Sequence, residues 1–157
     1  IRAAITGHLV FSTLHTNDAP GSVTRLTDMG VEPYLLGDAL VGVISQRLVK
    51  RLCPACRRRS KATPREMEIL KLTEPTHIYR PVGCPFCNNT GYRGRIAVHE
   101  VMYAGEELRA AINHRESLET IRTLAAQGGM TTLWESCRDY VLKGITSLPE
   151  LMQLAVD

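Results

Sequence analysis

Six residues in this sequence combine a reactive type with a spacing that could do chemistry: Cys53, Cys56, Cys84 and Cys87, with His8 and His15. Cys53-Pro-Ala-Cys56 and Cys84-Pro-Phe-Cys87 are both C-x-x-C pairs. That spacing lets the two thiolates of a tight knuckle face one metal ion, and two knuckles close a tetrahedral four-sulfur site with no open position. The expected occupant is a structural zinc ion rather than a catalytic one. The 27 residues between Cys56 and Cys84 exceed the usual ribbon spacing, but a loop carrying one short helix can span them. An iron–sulfur cluster or a redox-active thiol pair are alternative uses of the same residues. Cys137 falls on the apolar face of a helical pattern, where a cysteine serves as a small buried hydrophobe.

The histidines bracket an apolar run. In TGHLVFSTLHTNDA, residues 6–19, the stretch His8–Leu14 reads as a strand covered on both faces, and His15 opens into a polar Thr-Asn-Asp loop. From the residues alone, a satisfied histidine at each strand end is the plainer interpretation. His99 and His114 have no comparable context and are read as structural.

The elements that must position these groups follow from periodicity and breakers. Ile1–Thr6 predicts a helix tail stopped by Gly7. Ala19–Met29 predicts a helix with Pro20 in its first turn, ended by Gly30, and Tyr34–Leu40 predicts a second. Val41–Val49 predicts a strand. Helix, strand, helix, helix, strand in fifty residues suggests part of an α/β sheet. Residues 50–90 change character: they are basic, rich in Pro and Cys, and carry little periodic hydrophobicity, so they should need a staple in place of a core. Pro64–Leu72 is a short helix within them. Gly91–Val101 returns to strand patterning. Helical stripes follow, at Leu118, Ile121, Leu124 and Ala125, then at Leu133, Cys137, Tyr140, Val141 and Gly144. Ser147–Val156 is a last helix with a capping-box pattern at Ser147 and Glu150.

Composition bounds the function. The chain has 157 residues, a net charge of +3, 44% hydrophobic and 22% charged residues, so it should fold. Arg47, Lys50, Arg51, Arg57, Arg58, Arg59, Lys61 and Arg65 follow one another with no acid between them. Such a run suits nucleic acid, an acidic protein or anionic lipid, or is simply a solvated face. Without interleaved aromatic residues for base stacking, nucleic acid is not expected. No signal peptide and no membrane-spanning stretch are visible, and C-x-x-C cysteines suit a reducing, cytosolic compartment. The first residue is Ile1, and IRAAIT has the character of a helix end, so the chain is expected to start inside a longer protein.

Taken together, the motifs resemble a known family. TGHLVFSTLHTNDA is similar to the histidine box of the secretion ATPases that power type II secretion and type IV pilus assembly. SQRLVKRLCPACR resembles the family's Gln-Arg-Leu stretch running into its tetracysteine motif, and CPFCNNTGYRGRIAVHEVM its second cysteine pair with the strand that follows. GGMTTLWESCRDYVLKGITSLPELMQ resembles its C-terminal helical segment. The tetracysteine element favours the secretion and pilus-extension branch over the retraction branch.

The resemblance implies an α/β fold: a partial RecA-like P-loop ATPase core (residues 1–49) and a small tetracysteine zinc-binding insertion (50–90). A returning core strand (91–103) and an α-helical C-terminal subdomain (104–157) would complete it. It also implies ATP hydrolysis with Mg2+ in an intact homo-hexamer. That ring would be cytoplasmic, peripheral at the inner membrane, and would drive an inner-membrane platform protein. No G-x-x-x-x-G-K-[ST] occurs in these 157 residues, so the chain by itself is expected to be inactive. His15 and His8 become catalytic candidates. Arg47 is a candidate for contact with nucleotide or a neighbouring subunit, and equally an ordinary surface arginine. A zinc-ribbon-like nucleic-acid-binding module is the alternative from a different class.

Overall fold

Proline and glycine stand at many of the element boundaries in the computed structural model, which describes residues 1–154. Helix α1 (Arg2–Ile5) ends before Gly7, whose φ of 93° only glycine adopts without strain. Helices α2 (Gly21–Asp28) and α3 (Pro33–Ala39) flank Gly30, at φ 89°. Strand β1 (Gly42–Leu52) pairs with β4 (Tyr92–Tyr103). Between them lie β2 (Arg58–Lys61), α4 (Pro64–Ile69) and β3 (His77–Arg80), and then a 3-10 turn at Pro85–Cys87. Helices α5 (Glu106–Asn113), α6 (Leu118–Gln127), α7 (Leu133–Leu142) and α8 (Leu148–Leu154) follow.

These elements make a mixed α/β chain of two compact units. The first comprises residues 1–45 and 99–132, the second residues 46–98 and 133–157; β1 and β4 each contribute to both. The first unit is built on apolar area. Leu36 from α3, Met102 from β4, Leu108 and Ile112 from α5 and Ile121 from α6 are all but fully buried together. In the second unit Val49, Leu70, Ile78 and Val98 are buried with Cys137, Val141, Leu148 and Leu151 of α7 and α8. Residues 50–90 contribute only Leu70 and Ile78 to the buried members of this cluster, as their sparse hydrophobicity predicts, and β1, β4, α7 and α8 supply the rest. Beside it, β2 and β3 pair antiparallel, with Arg58 opposite Arg80 and Lys61 opposite His77.

One predicted element does not form. His8–Leu14 has no strand structure, and Leu9 and Phe11 are 82% and 87% exposed. A strand exists only through its ladder partner, and among the described residues the two sheets are β1 with β4 and β2 with β3, with no ladder to this segment. The last helix is observed to Leu154; Val156, its predicted end, lies outside the described residues. Ser147 and Glu150, read as a capping box, make tertiary bonds: the Ser147 hydroxyl pairs with Tyr92 OH at 2.7 Å, and Glu150 accepts from the Lys50 N–H at 2.8 Å.

Candidate metal centre

Each cysteine pair is wound into a knuckle by its own backbone. The Cys53 carbonyl accepts from the N–H groups of Cys56 (3.3 Å) and Arg57 (2.9 Å). The Cys84 carbonyl accepts from Cys87 (3.1 Å) and Asn89 (2.9 Å), with Asn88 and Asn89 both left-handed at φ 51° and 60°. Asparagine tolerates that region better than other non-glycine residues. One bond ties the knuckles together, from the Cys53 N–H to the Gly91 carbonyl at 2.9 Å. Gly91 must be glycine: its φ is 78°, and a Cβ there would come within 2.4 Å of Pro81.

The result brings all four sulfur atoms within 4.8 Å of one another. Three of the sulfur–sulfur separations are 3.9 Å for Cys53–Cys84, 3.8 Å for Cys56–Cys87 and 3.7 Å for Cys84–Cys87. A tetrahedron with Zn–S bonds of ~2.3 Å has edges of ~3.8 Å, whereas a disulfide would need ~2.05 Å. The cluster thus has the shape of a four-sulfur cage, and these residues could hold a metal ion. Its electrostatics agree. Cys87 loses solvation, which raises its pKa, but the N–H groups of Cys84 (3.3 Å) and Gly91 (3.2 Å) point at its sulfur and bring it down to about 6. At Cys56 desolvation dominates, opposed by a hydrogen bond from the Gly83 backbone and reinforced by the neighbouring sulfurs, and the thiol is pushed up to about 11. Thiols this close cannot all ionise against one another's charge, and a dication removes that conflict.

The knuckles are also anchored to the rest of the second unit. The Arg57 guanidinium donates to the Gly144 carbonyl and lies 4.8 Å over the Tyr79 ring. The Leu52 N–H donates to the Ile145 carbonyl at 2.9 Å, and the Thr146 hydroxyl to the Lys50 carbonyl at 2.7 Å. Glu66 accepts two bonds from Arg80, at 2.7 and 2.8 Å, and that pairing holds its carboxyl down at about 2. Cys137 is fully buried, and burial, with the charge of Glu150, pushes its thiol up to about 12. It is the inert hydrophobe its position predicted.

A profile of the family described as Type II/IV secretion system protein matches residues 1–153. This chain belongs to that family. Among relatives of the type II/IV secretion chain, the type II secretion system protein E of Pectobacterium carotovorum is 44% identical over 98% of the chain and 31% of its own length. The type IV pilus assembly ATPase PilB of Thermus thermophilus is 43% identical over 99% of the chain and 18% of its own length. The type II secretion system ATPase E of Vibrio cholerae is 43% identical, over 98% and 31%. The chain therefore spans about a third or less of these relatives.

The remaining site candidates of the secretion-family chain are not part of the cysteine cage. His8 is exposed, with Nδ1 3.2 Å from both the Thr6 hydroxyl and the Ala3 carbonyl. His15 is exposed too, but the loop after it is held firmly. The Thr16 hydroxyl pairs with Ser22 at 3.0 Å, and Asp18 accepts from the Gly21 N–H at 2.9 Å and from Arg122 at 2.8 Å. The Ala19 N–H donates to buried Glu100 at 2.6 Å. Sequence reasoning missed Glu100 and Arg122, which lie 81 and 104 residues from their partners; no local pattern encodes such pairs. Arg47 is a half-buried residue of β1 in the second unit. Among the described residues, no helix is long and apolar enough to cross a membrane.

Proposed function

We propose that this chain is the C-terminal portion of a motor ATPase of type II secretion or type IV pilus assembly. The observation that carries this reading is the family match over residues 1–153, with relatives named as secretion or pilus ATPases aligned along nearly the whole chain. In the intact protein, residues preceding this chain supply the P-loop and the magnesium carboxylates, and residues 1–49 and 91–103 complete a RecA-like core. The apolar run His8–Leu14, without a ladder partner among the described residues, then gains one as a strand of that core's sheet. The motor works as a cytoplasmic homo-hexamer, peripheral at the inner membrane, and passes its motion to an inner-membrane platform protein. Nucleic acid is not a partner.

The cysteines hold one structural zinc ion. Its thiolate cage is closed, so the ion braces the second unit and takes no part in hydrolysis. His15 senses the nucleotide. Its loop is clamped by Glu100 and Arg122, so its imidazole is presented from a fixed base. From there it can donate a hydrogen bond to a phosphate oxygen or orient the attacking water. His8 steadies the far end of the same segment, and Arg47 contacts nucleotide or the neighbouring subunit.

The test is paired kinetics on the intact, assembled protein. His15→Ala should lower kcat by ~10–1000-fold, as loss of one charge-stabilising contact does, while nucleotide affinity changes far less. His8→Ala should act through assembly or stability instead. Wild-type turnover by His15→Ala would remove the catalytic role. Hydrolysis by the 157-residue chain alone, surviving controls for contaminants, would contradict the division of labour.

A further inference from the structure

Strand β2 is an open edge. Among the described elements, only β3 packs extensively against it, and β3 pairs along one side. The Ala62 N–H, just past β2, donates toward the β3 side to the Thr76 carbonyl at 2.9 Å. Backbone groups alternate sides along a strand, so Ser60 and Arg58 also face β3, while the N–H and C=O groups of Arg59 and Lys61 face outward. The edge of β1 in the same unit is treated differently. There the Lys50 N–H is taken by Glu150, the Lys50 carbonyl by Thr146, and the Leu52 N–H by Ile145.

Charge sets what the open edge can accept. Arg58, Arg59 and Lys61 are all exposed. Arg59 and Lys61 share one face of the strand, and Arg58 lies on the other beside Ser60, whose hydroxyl accepts from Arg80 at 2.7 Å. Residues 46–98 hold twelve Lys and Arg against three Asp and Glu, and among the described residues none of the ion pairs involves Arg58, Arg59 or Lys61. Cations on an edge strand repel like strands and deter self-pairing. The same cations attract a strand of opposite charge.

We infer that the outer edge of β2 is a docking site for an extended, acidic segment of a partner protein, which pairs with Arg59 and Lys61 as an added strand. The main chain supplies the hydrogen bonds, and alternate carboxylates meet the cations. A polynucleotide has no strand-spaced amides to complement this edge. The exposed aromatic residue of the second knuckle, Phe86, is already covered by Arg93 at 3.7 Å. A bilayer surface likewise offers no matching ladder.

The experiment titrates the metal-loaded chain with a short fluorescein-labelled peptide of alternating Glu and Thr. Parallel arms use the same peptide N-methylated at every residue, a single-stranded oligonucleotide, and phosphatidylcholine vesicles containing phosphatidylglycerol. Saturable binding of the unmodified peptide is expected, with slowed hydrogen exchange at the Arg59 and Lys61 amides. Binding should weaken at least ~10-fold on N-methylation, which removes the ladder donors, and on Arg59→Glu with Lys61→Glu, which reverses the charge. If the reversed variant does not fold, Arg59→Gln with Lys61→Gln should give a smaller loss in the same direction. Equal affinity for both peptides, binding without amide protection, or capture of the oligonucleotide or vesicles in place of the peptide would overturn the proposal.

Discussion

The two units solve the same problem, ordering about 80 residues each, by different means. In the first, α3, α5 and α6 and the end of β4 bury apolar side chains against one another, and the five Lys and Arg are outnumbered by nine Asp and Glu. In the second, fourteen Lys and Arg meet seven Asp and Glu, and much of the chain between β1 and β4 is short strands and turns. A single apolar cluster serves it, and directed bonds do the rest: the cysteine knuckles, Arg57 to Gly144, Glu66 to Arg80, and the Arg138 side chain to the Leu70 carbonyl at 2.6 Å. Apolar area suffices where helices present continuous stripes. A basic segment with few apolar residues needs point attachments, of which a metal cage is the strongest.

The largest effect is expected at the proposed zinc site. Structural zinc contributes on the order of 10 kcal/mol to local folding, so stripping it with a chelator should expose the amides of residues 50–98 to hydrogen exchange. Residues 106–127 of the first unit should stay protected far longer. Equal loss in both would show that the ion does not distinguish the units.

A cavity tests the other side. Leu36 is fully buried in the first unit, and Leu36→Ala should cost ~2–5 kcal/mol by urea denaturation, with metal content unchanged. Zinc lost along with that stability would mean the first unit's core also sustains the knuckles.

A backbone substitution sharpens the point-attachment idea. Gly144 sits at φ 69°, and a Cβ there would lie 2.4 Å from the Tyr79 ring on which Arg57 rests. Gly144→Ala should destabilise the second unit by ~2 kcal/mol or more, whereas Gly94→Ala, at φ 74° but in open space, should show only the backbone strain. Matching values for the two variants in thermal denaturation would remove the packing argument.

The smallest effect is the Glu66–Arg80 pair. Folding lowers the Glu66 pKa from 4.5 to about 2, so its contribution is fully present above 4.5 and fades as pH falls toward 2. Arg80 is partly exposed, which limits the contribution to about 1 kcal/mol. The stability difference between wild type and Glu66→Gln should shrink across that window. A difference constant from neutral pH to pH 2 would assign the loss to the Thr63 cap or to packing.

Residues whose structure is decided locally were legible in the sequence. Gly7 and Gly30 end helices, Pro64 starts one, Cys137 is buried, and the two C-x-x-C pairs converge. Residues whose structure depends on distant partners were not. His8–Leu14 has the pattern of a buried strand, but a pattern cannot supply a neighbour. Strand β2, Arg-Arg-Ser-Lys, has no apolar alternation and is a strand only because β3 pairs with it. The clamps on the loop after His15 come from Glu100 and Arg122, whose roles no nearby residue announces.

Whether four thiolates hold one ion that braces the second unit is read directly by zinc-edge X-ray absorption on the reduced, purified protein. One zinc ion per chain with four sulfur neighbours at ~2.3 Å is the predicted spectrum. Absence of stoichiometric zinc, or a shell containing nitrogen or oxygen, would contradict it.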